Sequence, residues 1–162
     1  MMNIFPTYSE VLVSSLTCEE VARKIGAVTK KVDYLDVTVK KEKKHQFNGE
    51  VDDKHFSLSL IINQADSFLP LMNGKIESTK NGCILFLNYS LFPSSIFFLV
   101  FWGVVTFFLA LFFILHEKQW LHALISILAG AGNFVFAWSY FKTKLKQSQM
   151  IFHQMLSLQE KN

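Results

Sequence analysis

The sequence predicts an α+β protein: a small N-terminal antiparallel sheet domain with one helix, then a two-helix transmembrane hairpin, then a C-terminal cytoplasmic helix. Three observations carry this. Residues 47–91 alternate apolar and polar side chains in short runs punctuated by turn residues, as half-buried strands do. Residues 96–115, IFFLVFWGVVTFFLALFFIL, hold no charge, and a helix rising about 1.5 Å per residue would carry them across roughly 30 Å of hydrocarbon. Residues 120–141 repeat the pattern after only HEKQ, again without Asp, Glu, Lys or Arg. The expected domains are therefore a cytoplasmic α+β domain at 1–92, the hairpin at 93–141 with spans 96–115 and 120–141, and an amphipathic helix at 142–162.

In chain order, TYSEVLVSSL predicts a strand over residues 8–16 from its β-branched and apolar content. Thr17 then opens T-C-E-E, in which the threonine can cap a helix and Glu20 can reach back to the cap amide. That helix runs to about Ala27 with Val21, Ala22 and Ile25 inward. Residues 31–41, KVDYLDVTVKK, have the β propensity of a second strand. FNGEV and HFSLSLII flank Asp52-Asp53-Lys54; in the latter, Phe56, Leu58, Leu60 and Ile62 alternate with Ser57 and Ser59. MNGKIEST and CILFLNYSL flank Lys80-Asn81-Gly82, where Asn-Gly predicts a type I′ hairpin turn. The result is a four-stranded antiparallel meander plus the first strand and one helix.

The last strand is followed by Pro93 and then at once by the first span, which leaves no room for a flexible linker and sets the sheet close to the membrane surface. Beyond the second span, apolar residues at 145, 151, 152, 155, 156 and 158 can extend that span as an amphipathic helix lying on the sheet or on headgroups. Lys142, Lys144 and Lys146 follow the second span, whereas the connecting loop holds only Lys118, beside Glu117. This bias predicts an inner-membrane, multi-pass protein with both termini cytoplasmic. Cys18 and Cys83 then sit in a reducing compartment as small buried residues with no disulfide required.

Within lipid, helix contacts favour small and hydrogen-bonding residues. Gly103, Thr106 and Ala110 in the first span and Ala123, Ser126, Gly130, Asn133 and Ala137 in the second recur at spacings of three and four. An antiparallel hairpin sets Ala110 near Ser126, Thr106 near Gly130 and Gly103 near Asn133, with Asn133 hydrogen-bonding towards the first span. Neither span holds an Asp, Glu, Lys or Arg, which argues against a proton or ion path within one protomer.

Chemistry is sparse. His116, Glu117 and His122 suggest a zincin helix, but that motif needs histidines at i and i+4, and here the second lies at i+6, on nearly the opposite side of a helix. The segment reads instead as an interfacial turn with Trp120 as its belt residue. His45, His55 and His153 are scattered. No nucleophile elbow, P-loop or dinucleotide fingerprint occurs, and Cys18 at a capped helix start is an ordinary structural position. The expectation is no enzyme, no cofactor and no metal. Residues 1–92 hold eleven cationic and eleven acidic side chains, so the whole +3 charge lies after them and nucleic acid is not an expected partner. Lys40, Lys41, Lys43 and Lys44 form a solvated loop or touch anionic lipid.

Phe47-x-Gly49-x-Val51, Phe56, Ser67-Phe68-x-Pro70 and Gly74-x-Ile76, followed by Asn81-Gly82 and two spans, resemble a type of small bacterial two-helix membrane protein with an N-terminal antiparallel-sheet domain. The likeness covers about residues 47–141, implies a fold, and brings no catalytic residue with it. The favoured expectation is a membrane-apposed binding or scaffolding subunit whose partners are membrane lipid and a protein partner or a homo-oligomer. The alternative is a hydrophobic-ligand or lipid-binding module. Its element order is loosely that of helix-grip domains, with Phe47, Phe56, Leu58, Leu60, Phe86 and Leu87 lining a cavity.

Overall fold

The computed structural model describes residues 5–31, 45–61, 68–116 and 118–157. Among these the order is β1 (Thr7–Ser14), α1 (Cys18–Val28), β2 (Thr29–Lys31), β3 (Phe47–Val51), β4 (His55–Leu60), β5 (Pro70–Thr79), β6 (Gly82–Leu91), α2 (Pro93–Leu115) and α3 (Trp120–Ser157). The strands form one sheet in the order β1-β6-β5-β4-β3-β2. The meander β3 to β6 and the pairing of β1 with β6 are antiparallel. The sheet is nevertheless mixed, because β2 runs parallel to β3. α1 joins β1 to β2, the two edge strands, and packs across the sheet face between them. Of the strand expected over 31–41, only its start coincides with β2; the rest lies outside the described residues.

α1 begins where its capping residues require. Glu20 N–H donates to Thr17 Oγ1 at 3.3 Å, and Thr17 N–H donates to Glu20 Oε2 at 3.1 Å. The bond from the Thr17 N–H, then hydrogen bonding with the Thr17 side chain, holds the Glu20 carboxyl below the ordinary carboxylate range. Val21 and Ile25 are fully buried against the sheet.

The β5-β6 hairpin is where the sequence places it, but its turn differs. Thr79 pairs with Gly82, so Lys80 and Asn81 are the two loop residues. A type I′ turn needs positive φ at both, and the one non-glycine residue with positive φ among those described is Lys118. The positive angle falls instead on Gly82, at φ 141°, where a Cβ would overlap the Ser14 carbonyl of β1.

The inward side chains of the sheet, including Phe47, Phe56, Leu58, Met72, Leu85, Leu87 and Tyr89, form one core with α1 and with α3. Among the described residues the opposite face is uncovered and partly polar: Ser57 Oγ donates to Asn73 Oδ1 at 2.9 Å and Ser9 Oγ to Asn88 Oδ1 at 3.1 Å. α2 starts directly after β6, with Phe92 as N-cap and Pro93 in the first turn, where its missing N–H costs no helical bond. α3 runs unbroken for 38 residues, about 57 Å. Pro93–Leu115 and Trp120–Leu156 are each long and apolar enough to cross a membrane, and only 11% of the most apolar window of each is buried inside the chain.

A Cβ at Gly74 would enter the ring of Phe56, its cross-strand partner. We expect Gly74→Val to lower the unfolding free energy by about 2–3 kcal/mol in detergent-solubilised protein. Gly26→Ala, which meets open space in α1, should leave stability unchanged or raise it by up to about 1 kcal/mol. Equal effects at the two glycines would contradict this packing.

Candidate functional site: the junction of sheet, long helix and apolar hairpin

The inward stripe of α3 is Ala137, Phe141, Leu145, Ser148 and Phe152, all buried. These positions recur at four, four, three and four residues, the helical period, so one face of α3 meets the sheet. Phe152 is the centre of that contact. Its ring stacks on Phe56 at 5.8 Å and meets Phe47 edge-on at 6.1 Å. Phe56 in turn lies over Gly74, where the absent side chain makes room for it. At the base of the hairpin, Phe68 touches both helices, edge-on to Phe98 at 6.2 Å and to Phe136 at 6.3 Å.

A polar contact joins the same elements. Glu10 faces inward from β1 with its side chain 12% exposed. Tyr89 OH of β6 donates to Glu10 Oε1 at 2.7 Å, and Gln149 Nε2 of α3 donates to Glu10 Oε2 at 2.8 Å. His153 Nε2 lies 3.3 Å from Glu10 Oε1 and makes the site an ion pair when protonated. The carboxylate is thus satisfied on both oxygens, as a nearly buried charge must be. Sequence reasoning missed Glu10, Tyr89 and Gln149. One signal was there: in β1 the even-numbered positions face inward, and Glu10 is the acid among them.

Burial, then the bond Tyr89 donates to Glu10 and the Glu10 charge, hold the phenol well above its ordinary range. Burial, then hydrogen bonding with Cys18, pushes the Cys83 thiol up to about 12. Both cysteines are free, and Cys83 stays a protonated, poor nucleophile at neutral pH.

The ends of α3's apolar half carry aromatic rings and cations. Trp120 and Trp138 lie 18 residues apart, about 27 Å along the helix. Lys142 Nζ sits 5.7 Å over the Trp138 ring and Lys144 Nζ 5.4 Å over that of Tyr140.

α2 and α3 pack side by side. Ala110, Ala123 and Ala137 are buried, and a Cβ on Gly130 would come within 2.5 Å of Thr106 Oγ1, so these helices approach closely there. Thr106 Oγ1 donates within its own helix, to Trp102 O at 2.9 Å and Gly103 O at 3.1 Å, and Ser126 Oγ does likewise to His122 O at 2.9 Å. Two positions depart from expectation. A Cβ at Gly103 would meet nothing within 4 Å. Asn133 is half-buried, and its amide makes no hydrogen bond to α2 among the described residues. The α2-α3 contact is one of shape, because the available hydroxyls are already spent on local carbonyls.

The histidines of the turn lie tilted against phenylalanines: His116 against Phe112 at 5.4 Å and His122 against Phe113 at 5.3 Å between ring centres. Glu117 lies outside the described residues. Among the described residues no group of three or more His, Cys, Asp or Glu is placed to hold a metal ion. Of the side chains expected to line an apolar cavity, Phe47, Phe56, Leu58, Leu60 and Leu87 do face inward, but that space is filled by α1 and α3. Phe86 does not join them. Adjacent strand residues point to opposite faces, and Phe86 is 40% exposed on the outer one. A cleft of about 360 Å³ lies at the surface seam of α1 and α3, lined in part by Lys24, Val28, Gln46, Ile151 and Met155.

Compared with protein-family models, with curated proteins and with solved structures, the chain matches none.

Raising the pH should unfold the sheet for a stated reason. The unfolded thiol and phenol release protons near 9.0 and 10.0, whereas folded Cys83 and Tyr89 retain theirs. Their contribution is full below about pH 9 and is lost as pH rises towards 12. Denaturation midpoints between about pH 8 and pH 10.5 should therefore fall, less steeply in Cys83→Val; an identical slope in that variant would remove the thiol from the explanation. For the hairpin, Gly130→Val should cost about 1–3 kcal/mol in a helix-association assay, and Asn133→Leu less than about 0.5 kcal/mol. The reverse order would mean that Asn133 makes the bond the structure lacks.

Proposed function

We propose that the chain is an integral protein of a cell's inner membrane, with α2 and α3 as a two-helix anchor and both termini in the cytoplasm. On this reading it acts as a binding or scaffolding subunit through a sheet domain held against the membrane. The observation that carries the proposal is the exposure of the two apolar helices. A soluble core helix hides its apolar side chains, whereas Phe97, Phe107, Phe108, Leu121 and Leu128 are each at least 59% exposed. The spacing of Trp120 and Trp138 supports it, since about 27 Å fits the hydrocarbon thickness between two aromatic belts. Lys142, Lys144 and Lys146 beyond Trp138 support the orientation.

Binding through the domain is favoured by its uncovered face. Val11 is 57% and Val13 79% exposed on β1, an edge strand, beside exposed Phe86. Among the described residues no second layer covers these apolar side chains, and the partner that would cover them is another protein subunit or a second copy.

Topology and binding can be tested together in intact cells. Lys118→Cys should react with a membrane-impermeant maleimide from outside, while Cys18 reacts only after lysis and unfolding; labelling of Cys18 from outside overturns the orientation. A photo-crosslinking residue at Val13 should give one discrete adduct, of dimer mass or of a fixed larger mass, and one at Thr79 should give none. Monomer alone at both positions overturns the binding reading.

A further inference from the structure

α3 holds no acidic residue, and the flank beside its inward stripe orders its chemistry by height. At four-residue steps stand Phe134, Trp138, Lys142 and Lys146, on one face of the helix. The Phe134 and Trp138 rings are 6.2 Å apart, and Lys142 Nζ lies 5.7 Å over Trp138. Both rings are half-buried and both lysines exposed. Neither Lys142 nor Lys146 makes a salt bridge among the described residues. Among the described residues the sheet packs on the adjacent flank of α3, through Phe141, Leu145 and Phe152.

We propose that this stripe binds one anionic phospholipid of the cytoplasmic leaflet, its phosphate between the ammonium groups of Lys142 and Lys146 and an acyl chain along Trp138 and Phe134. The inference rests on the membrane reading above and adds to it a specific ligand class. A soluble anion would need the cations alone. A phospholipid needs cations and apolar rings in a fixed vertical order, and that is the order in which the helix presents them. Trp138 serves both parts, with its ring in the acyl region and its face towards Lys142. Lys144 lies about 200° around the helix from Lys142, over Tyr140, and belongs to another side.

The test uses the full chain with Trp102→Phe and Trp120→Phe, which leaves Trp138 as the sole tryptophan. The protein is reconstituted in phosphatidylcholine vesicles containing either brominated phosphatidylglycerol or brominated phosphatidylcholine at equal mole fraction, and quenching of Trp138 is read. The expected result is stronger quenching by the anionic lipid, corresponding to a local enrichment of roughly fivefold per lysine. In Lys142→Gln/Lys146→Gln the two lipids should quench alike. Equal quenching in the parent chain, or a preference that survives in the double variant, overturns the lipid site and leaves the membrane reading standing. Quenching by neither lipid overturns the membrane reading itself. Should the tryptophan-replaced chain fail to insert, native mass spectrometry of the otherwise unaltered chain decides: retained phosphatidylglycerol that the double variant lacks supports the site, and equal retention sinks it.

Discussion

The packing of Phe152 on Phe56, over the space left open by Gly74, is the contact on which the arrangement depends. It lies far from the hairpin in sequence and height, yet it fixes the direction of the helix that forms the hairpin's second half. A continuous helix transmits orientation along its whole length. With Phe141, Leu145 and Phe152 seated on the sheet, the apolar half of α3 has no freedom to choose its own angle. α2 is constrained from the other side, since it leaves β6 after a single residue. The sheet and the hairpin are therefore joined twice, by a tight covalent turn at Phe92-Pro93 and by a long packed helix. A flexible linker would have given one joint and no fixed geometry.

The same contact shows what covers the apolar sheet face among the described residues. A sheet of this size buries its inward face against something, and the usual candidates are a second sheet, helices or a ligand. Here α1 and α3 fill the role with large side chains. Phe152 alone occupies the space between Phe47 and Phe56 that a hydrophobic ligand would need. Glu10 adds direction to a contact that would otherwise be apolar alone. It accepts from Tyr89 and Gln149 at once, so β1, β6 and α3 meet in one register.

Much of this was legible in the chain, for identifiable reasons. The capping box at Thr17 and Glu20 uses atoms three residues apart, so local spacing was enough. The meander was legible because Ser57 and Ser59 interrupt the apolar face at period two. Where both faces are apolar the period vanishes: CILFLN offered no way to tell Phe86 from Leu87 by composition, although strict alternation forbids them a common side. The turn at Asn81-Gly82 was shifted by one residue because pairing of Thr79 with Gly82, a property of two strands, selects the loop. β2 is three residues long and parallel, and nothing so short carries a pattern. The Glu10 contacts join residues 79 and 139 positions apart, beyond any spacing argument. A polar residue in an apolar helix invites a hydrogen bond to the neighbouring span, and among the described residues Asn133 makes none to α2.

On the proposed membrane placement, one helix face changes chemistry where its surroundings change. From Ala123 to Ala137 the inward stripe of α3 is small, and Gly130 sits directly against Thr106. From Phe141 to Phe152 it is mostly large. In lipid, apolar side chains gain little by leaving hydrocarbon for another helix, so association depends on close backbone approach and small residues serve best. In water each buried phenylalanine removes a large apolar area from solvent, worth about 1.5–3 kcal/mol, so size is favoured. The switch falls between Ala137 and Phe141, beside Trp138 and one turn before Lys142. Inward packing, aromatic belt and cations thus change over within about one helical turn, and each depends on a different physical effect. Their agreement on one level supports the boundary more than any single feature does, because an error in one would not move the other two.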